Sequence, residues 1–272
     1  MNLDELKQWI GKTQTLTDQV TAVPLRALSA TLDRADPDPR PGEAIPPCWH
    51  WLYFLPLHRQ SEIGPDGHPL RGGFLPPVPL PQRMWASGRL ELVRPLRVGD
   101  VIMRTSQVVD VSAKEGRTGP LVFVRVRHEI NGPLGLAVID EQDIVYREPA
   151  RADESARSPL LAPESHDWTR EIQPDDVLLF RYSALTFNAH RIHYDHRYAR
   201  EIERHPGLVV HGPLIATVLL DLFRRHMPDA QVSTFKFRAG IVTKHDASPR
   251  TDGRPFGQIE QRPVERDPLT NP

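Results

Sequence analysis

The period of the apolar positions changes along the chain, and the changes divide it. LDELKQWI sets Leu3, Leu6 and Ile10 at helical spacing, and VTAVPLRALSATL continues the apolar positions, so an amphipathic helical opening is expected. DRADPDPRPGEAIPP then breaks the pattern. From Trp49 to Pro81 the chain is too rich in Pro and Gly (EIGPDGHPLRGGFLPPVPLP) for central strands, and it reads as a long loop that packs on or gates something. Four segments follow with strand character: RLELVRPLRVGD, VIMRTSQVVDVSAKEG, PLVFVRVRHEI and GLAVIDEQDIVYRE. In the third, Val122, Val124 and Val126 alternate with Phe123, Arg125 and Arg127, as an antiparallel sheet with one wetter face requires.

PARADESARSPLLAPES is small, polar and proline-bearing, and reads as a linker over 149–165 between a half at 1–148 and a half at 166–242. DVLLFRYSALT is expected to be a strand and YDHRYAREIER a polar helix. GPLIATVLLDLFRRH is a largely apolar, buried helix, with Gly212 at its start and Pro213 in its first turn. VSTFKFRAGIV reads as a strand. From about Thr243 onward the chain lacks alternation and is rich in Pro, Arg and Asp, so 243–272 is expected to be an irregular tail.

Composition narrows the partners. With 34 basic and 35 acidic residues the formal charge is −1, so no global field draws nucleic acid or an anionic membrane. One cysteine, Cys48, excludes an internal disulfide and a cysteine-based zinc cluster, and suits a reducing cytoplasm. The N-terminus lacks a basic start and an apolar run, and no stretch approaches a membrane span; a cytoplasmic protein is expected.

The chemistry concentrates in FRYSALTFNAHRIHYDHRYA running into GLVVHGPLIATVL. A polar cluster of Asn188, His190, Arg191, His193 and Asp195 is followed by His211-Gly212 opening a buried helix, so a base and a helix N-terminus come from one local unit. Hydration of an enoyl thioester needs both: a group to take a proton from water, and donors for the thioester oxygen as it gains charge.

This segment resembles the hydratase motif of MaoC-like hotdog proteins, D-x-N-P-x-H-x-D followed by a His-Gly at the central helix. Placing the catalytic His of that motif on His193 puts Asn188 at the Asp position, His190 at the Asn position and Arg191 at the Pro position. Asp195, His211 and Gly212 match directly. RYSALTFNAHRIHYD, with PLRVGDVI, KEGRTGPLVFVRV and EQDIVYRE upstream, resembles a narrower branch: two-hotdog hydroxyacyl-thioester dehydratases of mitochondrial type and bacterial mesaconyl-CoA or itaconyl-CoA hydratases.

The resemblance implies an α+β double hotdog, its first module degenerate and its second catalytic but apparently short of closing strands. It implies a hydro-lyase acting on an acyl-CoA, with His193 as general base, Asn188 orienting water and the Gly212 N–H binding the thioester carbonyl. No metal or redox cofactor is implied, coenzyme A being part of the substrate, and a homodimer is left open. His190, His211, Lys236 and Arg238 are assigned to substrate by position, as is Arg197. Arg191, beside the base, is taken as the partner of a second carboxylate on a branched dicarboxylic acyl group, and the loop 64–81 as the cover of the acyl end. Two rivals stand beside this reading. Asn at the Asp position fits a thioester binder without catalysis, and His193, Asp195 and His245 form a two-His, one-carboxylate set for an iron oxygenase.

Overall fold

The computed structural model describes residues 1–116, 119–149 and 167–238, together with the backbone of 257–261. The proposed linker and most of the tail lie outside the described residues. The chain opens with α1 (Leu3–Lys7), β1 (Thr13–Gln19) and α2 (Ala22–Thr31). The helical opening is therefore interrupted: TQTLTDQ, bounded by Gly11, is a strand that pairs along its length with the third strand. A 3-10 turn at Trp49–Leu52 follows, then β2 (Gln82–Leu92), β3 (Val101–Gly116), β4 (Gly119–Gly132) and β5 (Gly135–Arg147).

The second half begins with α3 (Asp176–Leu185), where a strand was expected. Asp175 caps it by accepting from the Leu178 N–H at 2.7 Å, and Leu179, Tyr182 and Ser183 bury one face at helical steps. Of the polar helix expected around Tyr194–Arg204, only a short π turn at Tyr198–Ile202 forms. α4 (Gly212–His226), β6 (Val232–Arg238) and β7 (Gly257–Gln261) complete the elements. β7 pairs with β6 inside the stretch expected to be irregular, so those five residues depart from that expectation.

All strand pairs are antiparallel, in one sheet of order β1-β3-β4-β5-β2-β6-β7. On its solvent face, cross-strand charges fix the register: Arg125 meets Asp143 at 2.7 Å, while Arg127 and Arg89 converge on Glu141. On the other face, Val122, Val124 and Val126 are fully buried. β2 accepts β6 because position 88 is glycine. A Cβ there would stand 2.4 Å from the Phe237 ring, which lies over the strand.

Two apolar clusters share the inner face. The larger joins α2, the Trp49–Leu52 turn, α3, α4 and β6; the smaller gathers Leu6, Val78, Leu80 and Tyr146 against β3 and β4. The two halves of the chain are tied by charge. Asp221 of α4, fully buried, receives Arg34, Arg170 and Arg225 at 2.7, 2.7 and 2.8 Å, which ties α4 to the segments after α2 and before α3. Among the described residues no helix is long and apolar enough to cross a membrane.

Candidate active site

Asn188 stands where α3 ends. Phe187 takes a left-handed conformation (φ +50°), the Asn188 N–H reaches the Ser183 carbonyl at 2.8 Å, and the Asn188 Oδ1 accepts the His190 N–H at 3.0 Å. The side chain thus caps the next turn. That turn, Arg191–His193, buries Ile192 and His193.

His193 Nδ1 lies 2.7 Å from the Val209 carbonyl. A carbonyl only accepts, so Nδ1 carries the hydrogen and Nε2 keeps its lone pair. Burial pushes the His193 pKa down to about 3, with the neighbouring His190 acting in the same direction, so the ring is neutral at ordinary pH. It stacks at 3.6 Å on His211, the N-cap of α4. Burial also holds the His211 pKa well below the usual range. His211 Nε2 meets the Ser183 Oγ at 2.8 Å, and its Nδ1 is buried without a partner. Gly212 follows as the first residue of α4. With Pro213 next in line lacking an N–H, the Gly212 N–H is the leading donor of that N-terminus.

These groups open on a cavity of about 1040 Å³, whose wall includes Asn188, His190, His193 and Gly212. Its other side belongs to the first half of the chain, with Trp51, Arg104, His128 and Gln142. The Pro-rich loop lines it too, and it docks on the turn that carries His193. The Arg191 N–H bonds to the Asp66 carbonyl at 2.9 Å, Arg191 Nη1 to the Pro65 carbonyl at 3.0 Å, and the His68 ring sits 4.0 Å from that of His190.

His190 and His205 share the buried Glu203 at 3.3 and 3.6 Å; burial alone would raise this carboxyl, but those contacts lower it to about 2. Neither the loop partners nor Glu203 were among the candidates from sequence. The DGH of the loop lies more than a hundred residues from the motif, and a lone Glu after a polar helix carries no distinguishing signal.

The remaining candidates are placed differently. Arg191 is taken by Asp195 at 2.7 Å and by Pro65, and it lies over the Tyr198 ring, so it braces the turn. Lys236 and Arg238 alternate with the buried Phe235 and Phe237, are exposed, and do not line the cavity. Arg197 is exposed and pairs with Glu201. His211 is buried behind His193 rather than on the cavity wall. Of the oxygenase set, Asp195 caps the Tyr198 N–H at 2.9 Å and pairs with Arg191, and His245 lies outside the described residues. Asp66, His68 and His190 do offer ligand atoms within 4.8 Å of one another, but Asp66 and His68 are already hydrogen-bonded at 3.1 Å.

A family model described as hydroxyacyl-thioester dehydratase type 2 matches residues 48–242. The mesaconyl-C(4)-CoA hydratase of Chloroflexus aurantiacus is 47% identical over 250 residues, covering 92% of this chain and 89% of that one. Among solved structures, a MaoC-like dehydratase superposes with a TM-score of 0.66 at 13% identity, over 88% of this chain and 85% of that one. A Mycobacterium tuberculosis protein described as having a double hotdog fold superposes with a TM-score of 0.52 at 14% identity, over 86% and 80%. The α+β architecture is thus that of the double hotdog proteins.

Proposed function

The chain belongs to the hydroxyacyl-thioester dehydratase type 2 family, and from that membership we propose that it is a hydro-lyase adding or removing water at the α,β bond of an enoyl-CoA. In the hydration direction, a water at His193 Nε2 gives it a proton as the water oxygen bonds to the β carbon. The displaced electron pair moves onto the thioester oxygen, where the Gly212 N–H and the positive end of α4 stabilise it. The proton then returns from His193 to the α carbon. The Oδ1 of Asn188 is committed to His190, so its amide nitrogen is the group left to hold the water. This chemistry needs no resident cofactor; coenzyme A enters as the handle of the substrate.

The observation that carries this reading is the 2.7 Å bond between His193 Nδ1 and the Val209 carbonyl, which fixes the tautomer with its lone pair on Nε2. The acyl group we favour is a short dicarboxylic one of mesaconyl or itaconyl type. The relative at 47% identity is named for mesaconyl-C(4)-CoA, and Arg104, His128 and Gln142 make part of the cavity wall unsuited to a long alkyl chain. A hydroxyacyl-thioester dehydratase of fatty-acid synthesis is the second reading, supported by the name of the family model.

The test is turnover by purified protein of mesaconyl-C4-CoA, itaconyl-CoA and straight-chain enoyl thioesters on coenzyme A or acyl carrier protein, read as gain of one water by mass. Fastest hydration of a dicarboxylic thioester is expected. Best rates on long chains would favour the second reading. Binding without turnover of any of them would make the chain a thioester binder.

A further inference from the structure

If the substrate carries a second carboxylate, some cation in the cavity must receive it, and Arg191 is already engaged. Five arginines line the cavity: Arg71, Arg83, Arg104, Arg147 and Arg191. Arg71 donates to the carbonyls of Val78, Leu80 and Pro81, and Arg147 has a partner of its own. Arg104 lies over the Phe54 ring in the field of Asp140 and Asp18, at the end of the cavity that holds His128.

Arg83 is the remaining one. It is half-buried and, like Arg104 but unlike the other three, its side chain makes no hydrogen bond or ion pair among the described residues; it differs from Arg104 in facing the turn that carries His190. It stands on β2 directly across from Tyr146 of β5, so both belong to the inner face. Tyr146 is itself fully buried, lines the cavity, and its hydroxyl has no hydrogen-bond partner. An unpaired guanidinium and an orphaned hydroxyl thus stand on paired strands of one face, and each calls for an acceptor.

Their position suits a short acyl chain. Gln82, next to Arg83 on β2, donates to the Glu203 carbonyl at 3.0 Å, Glu203 pairs with His190 at 3.3 Å, and the His190 ring is 5.4 Å from that of His193. The pair therefore belongs to the catalytic side of the cavity rather than to the His128 side. We propose that Arg83 and Tyr146 form a carboxylate subsite that selects a dicarboxylic over a monocarboxylic acyl thioester. This assignment rests on the acyl-thioester reading above and adds to it the residues that read the acyl group.

Saturated thioesters, which cannot take up water, test it without turnover. Succinyl-CoA and butyryl-CoA differ at the acyl end by a carboxylate for a methyl. Their binding can be followed by calorimetry or by quenching of the cavity tryptophans Trp51 and Trp85. Wild type is expected to prefer succinyl-CoA. Arg83→Gln should reduce that preference about 10- to 100-fold, the worth of a charge-assisted hydrogen-bonded pair, and Tyr146→Phe by a smaller factor. Arg83→Lys, which keeps the charge, should recover part of it, and Tyr146→Phe keeps the buried ring should the Arg83 variants fold poorly. Equal binding of the two thioesters by wild type overturns the proposal, even if enoyl thioesters are hydrated. Loss of preference with Arg104→Met but not with Arg83→Gln overturns it too. Preference for succinyl-CoA without turnover of any enoyl thioester would instead refute the hydro-lyase reading and leave the subsite standing.

Discussion

Gly67→Ala tests whether the Pro-rich loop is part of the active site or only near it. Gly67 has φ +88°, and a Cβ built there lies 1.7 Å from the Ala189 carbonyl oxygen and 2.6 Å from its carbon. Carbon and oxygen normally approach no closer than about 3.3 Å, so the loop must retreat by roughly 1.5 Å. At that displacement the Arg191 bonds to Asp66 and Pro65, now 2.9 and 3.0 Å, are both broken. Each contributes about 1 kcal/mol, and a left-handed alanine adds about 1–2 kcal/mol unless the turn relaxes. The loss is therefore about 2–4 kcal/mol, which at about 2–4 °C per kcal/mol for a chain of this size lowers Tm by roughly 4–16 °C. A 1 Å misplacement of a catalytic group can cost about a hundredfold in rate, so kcat/KM should fall by about 10- to 100-fold. Thermal unfolding, turnover and hydrogen exchange at the Arg191 amide measure the three consequences. An unchanged Tm with unchanged protection of that amide would refute the docking argument.

Three further outcomes are expected. His193→Ala should lower turnover by about 10²–10⁴ while the protein stays folded, and a loss under tenfold by steady-state kinetics would remove His193 from the mechanism. Because the His193 pKa falls from 6.5 to about 3 on folding, the unfolded chain takes up the proton first. Its contribution to stability is thus complete above about pH 6.5 and is lost as pH falls toward 3. His193→Gln should make the fall in stability between pH 6 and pH 4 shallower by about one proton, read from urea midpoints. Asp221→Asn leaves Arg34, Arg170 and Arg225 around a neutral amide. A loss of about 3–5 kcal/mol is expected by chemical denaturation, and a change under 1 kcal/mol would show that this network does not hold the two halves together.

What could be read from sequence follows from how local each signal is. β3, β4 and β5 were legible because alternation over long runs admits one answer, and α4 because its apolar residues repeat at helical steps beyond the length of a strand. DVLLFRYSAL is a short, dense apolar run that strand and helix fit equally; the Asp175 cap was the available clue. TQTLTDQ becomes a strand through its ladder with β3, a pairing to residues some ninety positions away. The turn at Asn188–His193 was legible because its residues lie together in the chain. Where a side chain points was not legible: Lys236 sits between Phe235 and Phe237 on the outward side of β6, and Arg191 turns back to Asp195. Arg83, Tyr146, Asp66 and His68 reach the site through sheet register and loop docking, which no local pattern encodes.

The Asn at position 188, the one departure from the motif that bears directly on chemistry, is consistent with the histidines around it. Its two backbone-directed contacts, to Ser183 and from His190, are ones an aspartate could also make, so geometry does not select the amide. Charge does. His193 packs face to face with His211, both have pKa values depressed by burial, and His193 is a base only while Nε2 keeps its lone pair. A carboxylate at 188, as the Asp-bearing motif has, would favour the protonated form of these rings and raise the His193 pKa. The cluster already holds an anion in Glu203, shared by His190 and His205. The amide keeps the turn capped and offers an N–H donor to water while adding no charge beside the neutral, buried imidazole.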